Sequence, residues 1–399
     1  MTRIYGDNFY IAGLQSLYYI GSAHIRELIR KFGTPYDAWE AVKNPSNLQS
    51  FTSMTTQYIN CISANAKDER LQIIYDKIQE YHMSYITYLD ADFPEILRHI
   101  YNPPAIVFMR GNRALLDERI PKIGIVGARK CSLYGRNVAR MLGKELSKYV
   151  AVIVSGGARG IDCHSHEGTL SAHGYGIIVM GCGLDIAYPR DNAKLFDRML
   201  QEGGLLLSEY PPGTPPSAKH FPARNRIISG LCKGVIVVEA RASSGSLITA
   251  DMANSEGRDV FVVPCNLLDH VADGNKWLIR QGAHVLTGVE DIVKEYGLIM
   301  RDSVTGQLSQ AQDTDTSINN GKSVDTQGGG VLSCNLDRSK VLDVIPFDRC
   351  ITVSDILHET HMPLQQIQPI LLDLELEGAI EHNPPRGYIN ITRSDILVH

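Results

Sequence analysis

The segment AVIVSGGARGID at residues 151–162 decides the fold. Its first part is a short apolar run rich in β-branched residues, the composition of a strand buried on both faces. Its second part is a turn carrying Gly156, Gly157 and Gly160 around Arg159, and a helical pattern follows from Asp162. A buried strand, a glycine turn and a helix make half of a βαβ unit, the connection that parallel strands require. Working outward, the alternation recurs. Apolar runs at Ile123–Val126, Ala151–Ser155, Gly176–Met180, Leu205–Ser208, Gly234–Val238 and Val260–Val263 read as strands. Segments 135–148, 162–173, 191–202, 225–231 and 246–257 read as helices. The expectation is an α/β fold with a doubly wound parallel sheet and right-handed crossovers.

Ligands on such sheets sit outside the carboxyl ends of the strands, so the loops there are candidates for function. They carry Arg129, Lys130, Arg159, Lys219, Arg224, Arg226 and Arg241. They also carry glycines, including Gly156 and Gly157, that let backbone N–H groups approach an anion, and Ser244-Gly245-Ser246 opens onto a helix N-terminus. The formal charge of the whole chain is −5. A surface that is acidic overall but basic along one sheet edge binds polyanions locally. The fingerprint for a dinucleotide is missing, because the first turn reads GIVGARK over residues 124–130 and no acidic residue ends the second strand. A phosphate-loop lysine pattern is missing too. The reading therefore calls for no cofactor; several phosphates along a groove fit the number of basic loops better.

Catalytic and metal readings are weaker. Cys163, His164 and His166 lie close in sequence, but residues two apart on a helix face different ways, so no metal is expected. His166 is expected to pack on the sheet or to bond Asp162, and Glu239 to act as an acid or base or to tether Arg224 or Arg226. The eight cysteines form no CxxC pair and read as free thiols. The amino-terminal stretch has no signal-peptide core and no apolar run reaches membrane-spanning length, so the expected location is cytoplasmic.

Residues 1–85 read as a helical domain. A glycine turn at Gly21 precedes a helix with Ile25, Leu28 and Ile29 on one face, closed by Gly33, an arrangement similar to a helix–hairpin–helix unit. Within 86–300, the start of the central domain reads as an extended connector to about residue 120. Residues 301–334 are poor in aromatics and rich in small polar residues, a flexible linker. Residues 335–399 return to globular patterning.

At the strand ends the chain resembles the DNA-processing protein A (DprA/Smf) family. The residues that carry the likeness run in one order: IVGAR at 125–129, SGGARGID at 155–162 with His166, GCG at 181–183, SEYP at 208–211, FPARNRIISG at 221–230, SGSLITA at 244–250, GRDVFVVP at 257–264 and Asn275. The likeness is strong over about 85–295. It implies a non-catalytic protein that binds single-stranded DNA, protects incoming strands during natural transformation, helps load the RecA recombinase and forms a homodimer. Carried over by position, its DNA-binding set is Arg129, Lys130, Gly156, Gly157, Arg159, Lys219, Arg224, Asn225, Arg226, Arg241, Ser244, Gly245 and Ser246. Where the family often has a basic residue before the Ser-Gly-Ser turn this chain has Ser243, and Arg241 is expected to supply the charge. The family dimer surface falls on Trp277, Leu278 and Ile279. The C-terminal region looks like the family's winged-helix module, with helices at Leu336–Ile345, Val353–His358 and Leu364–Glu377 and a wing at Gly378–Ile380 and Gly387–Ile389. The third of these helices holds Asp373, Glu375 and Glu377 and no Lys or Arg, which argues against strong duplex binding. The full expectation is a doubly wound Rossmann-like central domain flanked by a small N-terminal helical domain and a C-terminal winged-helix domain. A nucleotide hydrolase resembling the lysine-decarboxylase-like phosphoribohydrolases is the competing reading.

Overall fold

A computed structural model describes residues 4–51, 54–301 and parts of 340–390. The chain divides into two units, Met1–Asp315 and Thr316–His399. The first opens with helices α1 (Tyr10–Gln15), α2 (Ser22–Phe32), α3 (Pro35–Val42), α4 (Thr56–Asn65) and α5 (Asp68–Glu80). Local chemistry sets their limits. Gly33 ends α2 at φ +100°, Thr34 then caps α3 by accepting from the Asp37 amide, and Pro35 occupies the first helical position. Ile25, Leu28 and Ile29 are buried on one face of α2, as its spacing predicts.

Next come β1 (Ser84–Thr87), α6 (Glu95–Arg98) and β2 (Ile106–Gly111). The alternating region follows as β3 (Lys122–Val126), α7 (Leu133–Leu146), β4 (Val152–Ser155), α8 (Ile161–Ser171), β5 (Tyr175–Met180), α9 (Ala193–Gln201) and β6 (Leu205–Ser208). It continues as α10 (His220–Leu231), β7 (Gly234–Val237), α11 (Gly245–Ser255), β8 (Asp259–Val262), α12 (Asp273–Arg280), β9 (His284–Val285) and α13 (Val289–Tyr296). The strands stand in the order β1-β2-β6-β5-β4-β3-β7-β8-β9. From β6 to β9 every pairing is parallel. The chain winds outward from β3 to β6 and then returns to β7 on the other side of β3. The connections after β3 and β7 therefore diverge and leave a crevice between them, the place where doubly wound sheets hold ligands.

The six expected strands are present within a residue or so, and two features differ from expectation. The stretch read as an extended connector contributes β1 and β2, which pair antiparallel with each other and with β6, Phe108 opposite Ser208. Ile106, Val107, Phe108 and Met109 are all buried, and their pairing covers an edge of β6 that would otherwise stay open. Helix α10 begins at His220 rather than 225, because Pro222 falls in its first turn, where a missing N–H breaks no bond.

Buried apolar residues cover both faces of the sheet. One cluster joins Ile11, Leu28 and Trp39 of the N-terminal helices to Ile106 and Phe108 of β2, Ile178 of β5 and Leu206 of β6. Helices α7 and α8 meet backbone to backbone: a Cβ at Gly143 would collide with the Ser165 carbonyl oxygen, and one at Gly168 with that of Arg140. In the second unit α14 (Val353–Thr360) accompanies a hairpin of β10 (Ile380–Asn383) and β11 (Gly387–Asn390), where the wing was expected. Its core holds Val341, Ile345, Ile356, Ile367, Leu371 and Leu374. Residues 302–334 of the expected linker, and Asp373, Glu375 and Glu377, lie outside the described residues. Among the described residues no helix is long and apolar enough to cross a membrane.

Candidate functional site

The crevice beside β3 and β7 holds a groove of about 660 Å³. Its walls are the loop after β3 (Val126–Lys130), the start of α8, Pro216–Ala218 before α10 with Phe221, Pro222, Arg224 and Asn225 of its first turns, and the loop after β7 with the first turn of α11 (Arg241, Ser243–Ser246 and Thr249). An adjoining space of about 540 Å³ shares Arg129, Lys130, Ala158, Tyr188, Phe221 and Arg224 with it and extends the groove to Gly156, Arg159 and Arg190.

Buried polar groups fix these loops. Glu239, at the end of β7, accepts hydrogen bonds from the Ser132 amide (3.0 Å) and the Ser132 hydroxyl. Ser132 in turn caps α7 by accepting from the Gly135 amide at 3.0 Å. Glu239 thus holds the loop that presents Arg129 and Lys130; it tethers neither Arg224 nor Arg226. Asn275 is fully buried, accepts from the Ala240 amide (2.7 Å) and donates to the Val238 and Val263 carbonyls (2.9 and 3.0 Å), joining the ends of β7 and β8. Gly160 packs so closely on the loop after β3 that a Cβ would meet the Ala128 and Arg129 carbonyls, and its φ is +81°. Ser244 caps α11, whose first-turn N–H groups and positive dipole end border the groove.

The basic residues separate into two kinds. Arg129, Lys130 and Arg241 are exposed on the groove walls, and none has an ion pair among the described residues. Arg129 lies 5.2 Å from the Phe221 ring centroid, and Phe221 stacks on Tyr188 at 5.4 Å. Arg159 is exposed and paired with Asp191 at 2.7 Å. Arg224 borders the groove but is 4% exposed; it donates to the Gly156 carbonyl at 2.6 Å and to the Val179 carbonyl, bridging the loop after β4 and the end of β5. Burial lowers its pKa to about 10, and the nearby Asp162 opposes that shift. Asp162 is itself buried, which raises its pKa, and its carboxylate accepts from the Ala158 amide at 3.3 Å. Asn225 connects the Arg224 guanidinium to the Gly245 carbonyl.

Arg226 departs from the expected set. It points away from the groove and pairs with Glu209 at 2.6 Å, both side chains under a tenth exposed. Glu209 also accepts from Ser22 of α2, and Arg226 donates to the Asn102 carbonyl at 2.9 Å. This buried network knits α10 to the N-terminal helices. Its signal in the sequence was Glu209 beside Ser208, which spacing alone could not match to an arginine 17 positions away. Lys219 also leaves the groove wall, and borders a second cleft instead. Trp277 is 42% exposed, whereas Leu278 is buried in the core at 5% and offers no surface for a dimer; Ile279 is partly buried.

His166 packs in the core against Gly176, with no hydrogen bond to Asp162; neither ring nitrogen has a partner among the described residues, and burial lowers its pKa to about 3. Cys163 and His164 come together not with His166 but with Glu167, their donor atoms lying within 4.8 Å of one another. Glu167 is already satisfied by Arg140 and His164 at 2.6 and 2.9 Å. The described cysteines are free thiols.

The groove is preformed and cationic and lies at the switch point of a doubly wound, Rossmann-like sheet. The chain belongs to the DNA recombination-mediator protein A family, which it matches over residues 84–297, and residues 335–384 match the DprA winged helix domain. The DNA processing protein DprA of Streptococcus pneumoniae is 46% identical over 208 residues, covering 52% of this chain and 72% of that protein. Protein Smf of Synechocystis is 32% identical over 387 residues, 92% of this chain and 95% of its own length. The X-ray structure of the S. pneumoniae protein superimposes with a TM-score of 0.62 at 35% identity, covering 74% of this chain and 99% of that one.

Proposed function

We propose that the protein binds single-stranded DNA along the groove and acts without catalysis as a recombination mediator. In this role it shields incoming strands and helps load RecA during natural transformation. The observation that carries the reading is the convergence of Arg129, Lys130 and Arg241, none ion-paired among the described residues, with the α11 N-terminus around the stacked Tyr188–Phe221 pair. Cations and helix N-termini suit phosphates, and aromatic faces suit bases, but a base offers its face only when unpaired. The family's description as a recombination mediator supports the RecA role. The carboxylates on the groove walls, Asp162 and Asp191, are engaged with the Ala158 amide and with Arg159, which favours binding over hydrolysis. In this reading the protein works in the cytoplasm as a homodimer.

Fluorescence anisotropy with single-stranded and duplex oligonucleotides across a salt series tests the binding. Preference for single strands, with affinity falling steeply as salt rises, is the expected result. Equal affinity for duplex would overturn it. RecA filament growth on a bare strand, with and without the protein, tests the loading role separately.

A further inference from the structure

A second cleft of about 1030 Å³ lies between the N-terminal helices and the loop that runs from β6 to α10. Ser217 borders both spaces, so the two are neighbours. One wall of the cleft is the proline-rich run Tyr210–Ser217, whose restricted backbone dihedrals make it stiff. Asp185 pins that wall to α5, accepting from the Gly213 amide at 2.8 Å and pairing with Lys77 at 2.6 Å. The cleft is therefore preformed.

Its opposite wall is unusual for a folded surface. Tyr18 and Tyr19, in the turn between α1 and α2, are 66% and 50% exposed. Tyr19 sits at φ +67°, a conformation strained for a bulky residue, and its ring stacks face to face on Tyr58 at 4.0 Å. Burial does not explain two large exposed rings held this way. Lys67 and Lys219 border the same cleft, exposed and without an ion pair among the described residues, while Glu69 is the one acidic lining residue.

Exposed aromatic faces in one cleft with lysines that have no ion pair among the described residues are what a base and its phosphate need, and the cleft adjoins a groove already read as a phosphate path. We infer that this cleft is a second single-strand subsite, in which Tyr18 and Tyr19 stack bases and Lys67 and Lys219 neutralise phosphates of the strand leaving the groove. The inference rests on the groove reading above, and it gives Lys219 a place that the groove does not.

The test compares a thymidine hexamer, chosen as short enough to occupy the groove without reaching through the cleft, with a strand several times longer. The Tyr18→Ala/Tyr19→Asn double variant keeps a residue tolerant of positive φ at 19, and Lys67→Ala removes an exposed side chain with no ion pair among the described residues. The double variant should weaken binding of the long strand by about tenfold or more, the range of one stacked base, and leave the hexamer within about twofold. Lys67→Ala should lower the salt slope for the long strand only. Unchanged long-strand affinity in both variants would overturn the subsite. So would equal loss on both lengths, since the tyrosines would then act on the groove itself. Arg129→Ala separates the two readings: it should weaken both lengths, and if it weakens neither, the groove assignment fails while the cleft is still judged by its own variants.

Discussion

At the scale of single residues, an arginine in a basic loop has two quite different fates in this fold. Arg129 is exposed and without an ion pair among the described residues, whereas Arg226 is locked to Glu209 beneath the surface. Arg129→Ala should therefore cut single-strand affinity and reduce the salt slope by about one, with the melting temperature unchanged. Arg226→Met should do the reverse. It strands Glu209 without its counter-charge, and a broken buried pair costs about 3–5 kcal/mol, so urea denaturation should show a large loss of stability. Sequence reading could place both arginines at a sheet edge but could not separate them, because burial depends on which distant acid the fold delivers. His166 gives a pH signature of the same origin. Its folded pKa, about 3, lies below the unfolded value of about 6.5, so between those values the unfolded state binds a proton that the folded state refuses. Stability from this group is full above pH 6.5 and falls by up to about 1.4 kcal/mol per unit as the pH drops towards 3. His166→Leu removes both unpartnered nitrogens. Urea midpoints for that variant should change less between pH 7.5 and 5 than those of the wild type; an unaltered pH dependence would show that other groups dominate.

At the scale of elements, the six central strands were legible because each is a short apolar run buried on both faces, rich in β-branched residues in all but β6, a pattern that needs no tertiary information. Strands β1 and β2 were not. Their run Ile106–Met109 was visible, but its partner β6 lies about a hundred residues on, and antiparallel addition to an edge leaves no periodic mark in the chain. The close contact of α7 with α8 was hidden for a similar reason. Gly143 and Gly168 look like ordinary helix-weakening glycines until the two backbones are seen to meet there. Gly168→Val should force the helices apart and cost about 3 kcal/mol or more, because the obstacle is the Arg140 backbone rather than a movable side chain. A urea midpoint close to that of the wild type would disprove the close packing. Since α7 follows the Arg129 loop and α8 follows the Arg159 loop, the folded fraction should also bind single strands more weakly.

At the scale of the whole molecule, the two units carry different chemistry. Met1–Asp315 holds the groove, the second cleft and the hydrophobic clusters that surround the sheet. The fragment ending at Asp315 removes no residue of these clusters and leaves every described pairing of the nine-stranded sheet intact. It should unfold cooperatively on its own and bind single strands with the affinity of the full chain. The segment Leu364–Glu377, expected from the sequence to be the third helix of the winged-helix unit, has no Lys or Arg to offer a duplex. Loss of that unit should therefore leave the salt slope unaltered as well, because that slope counts the phosphates neutralised and those cations all lie in the first unit. A shallower slope in the fragment would move part of the strand's path onto the second unit, and the acidity of that segment would then have to be offset by basic residues elsewhere in it.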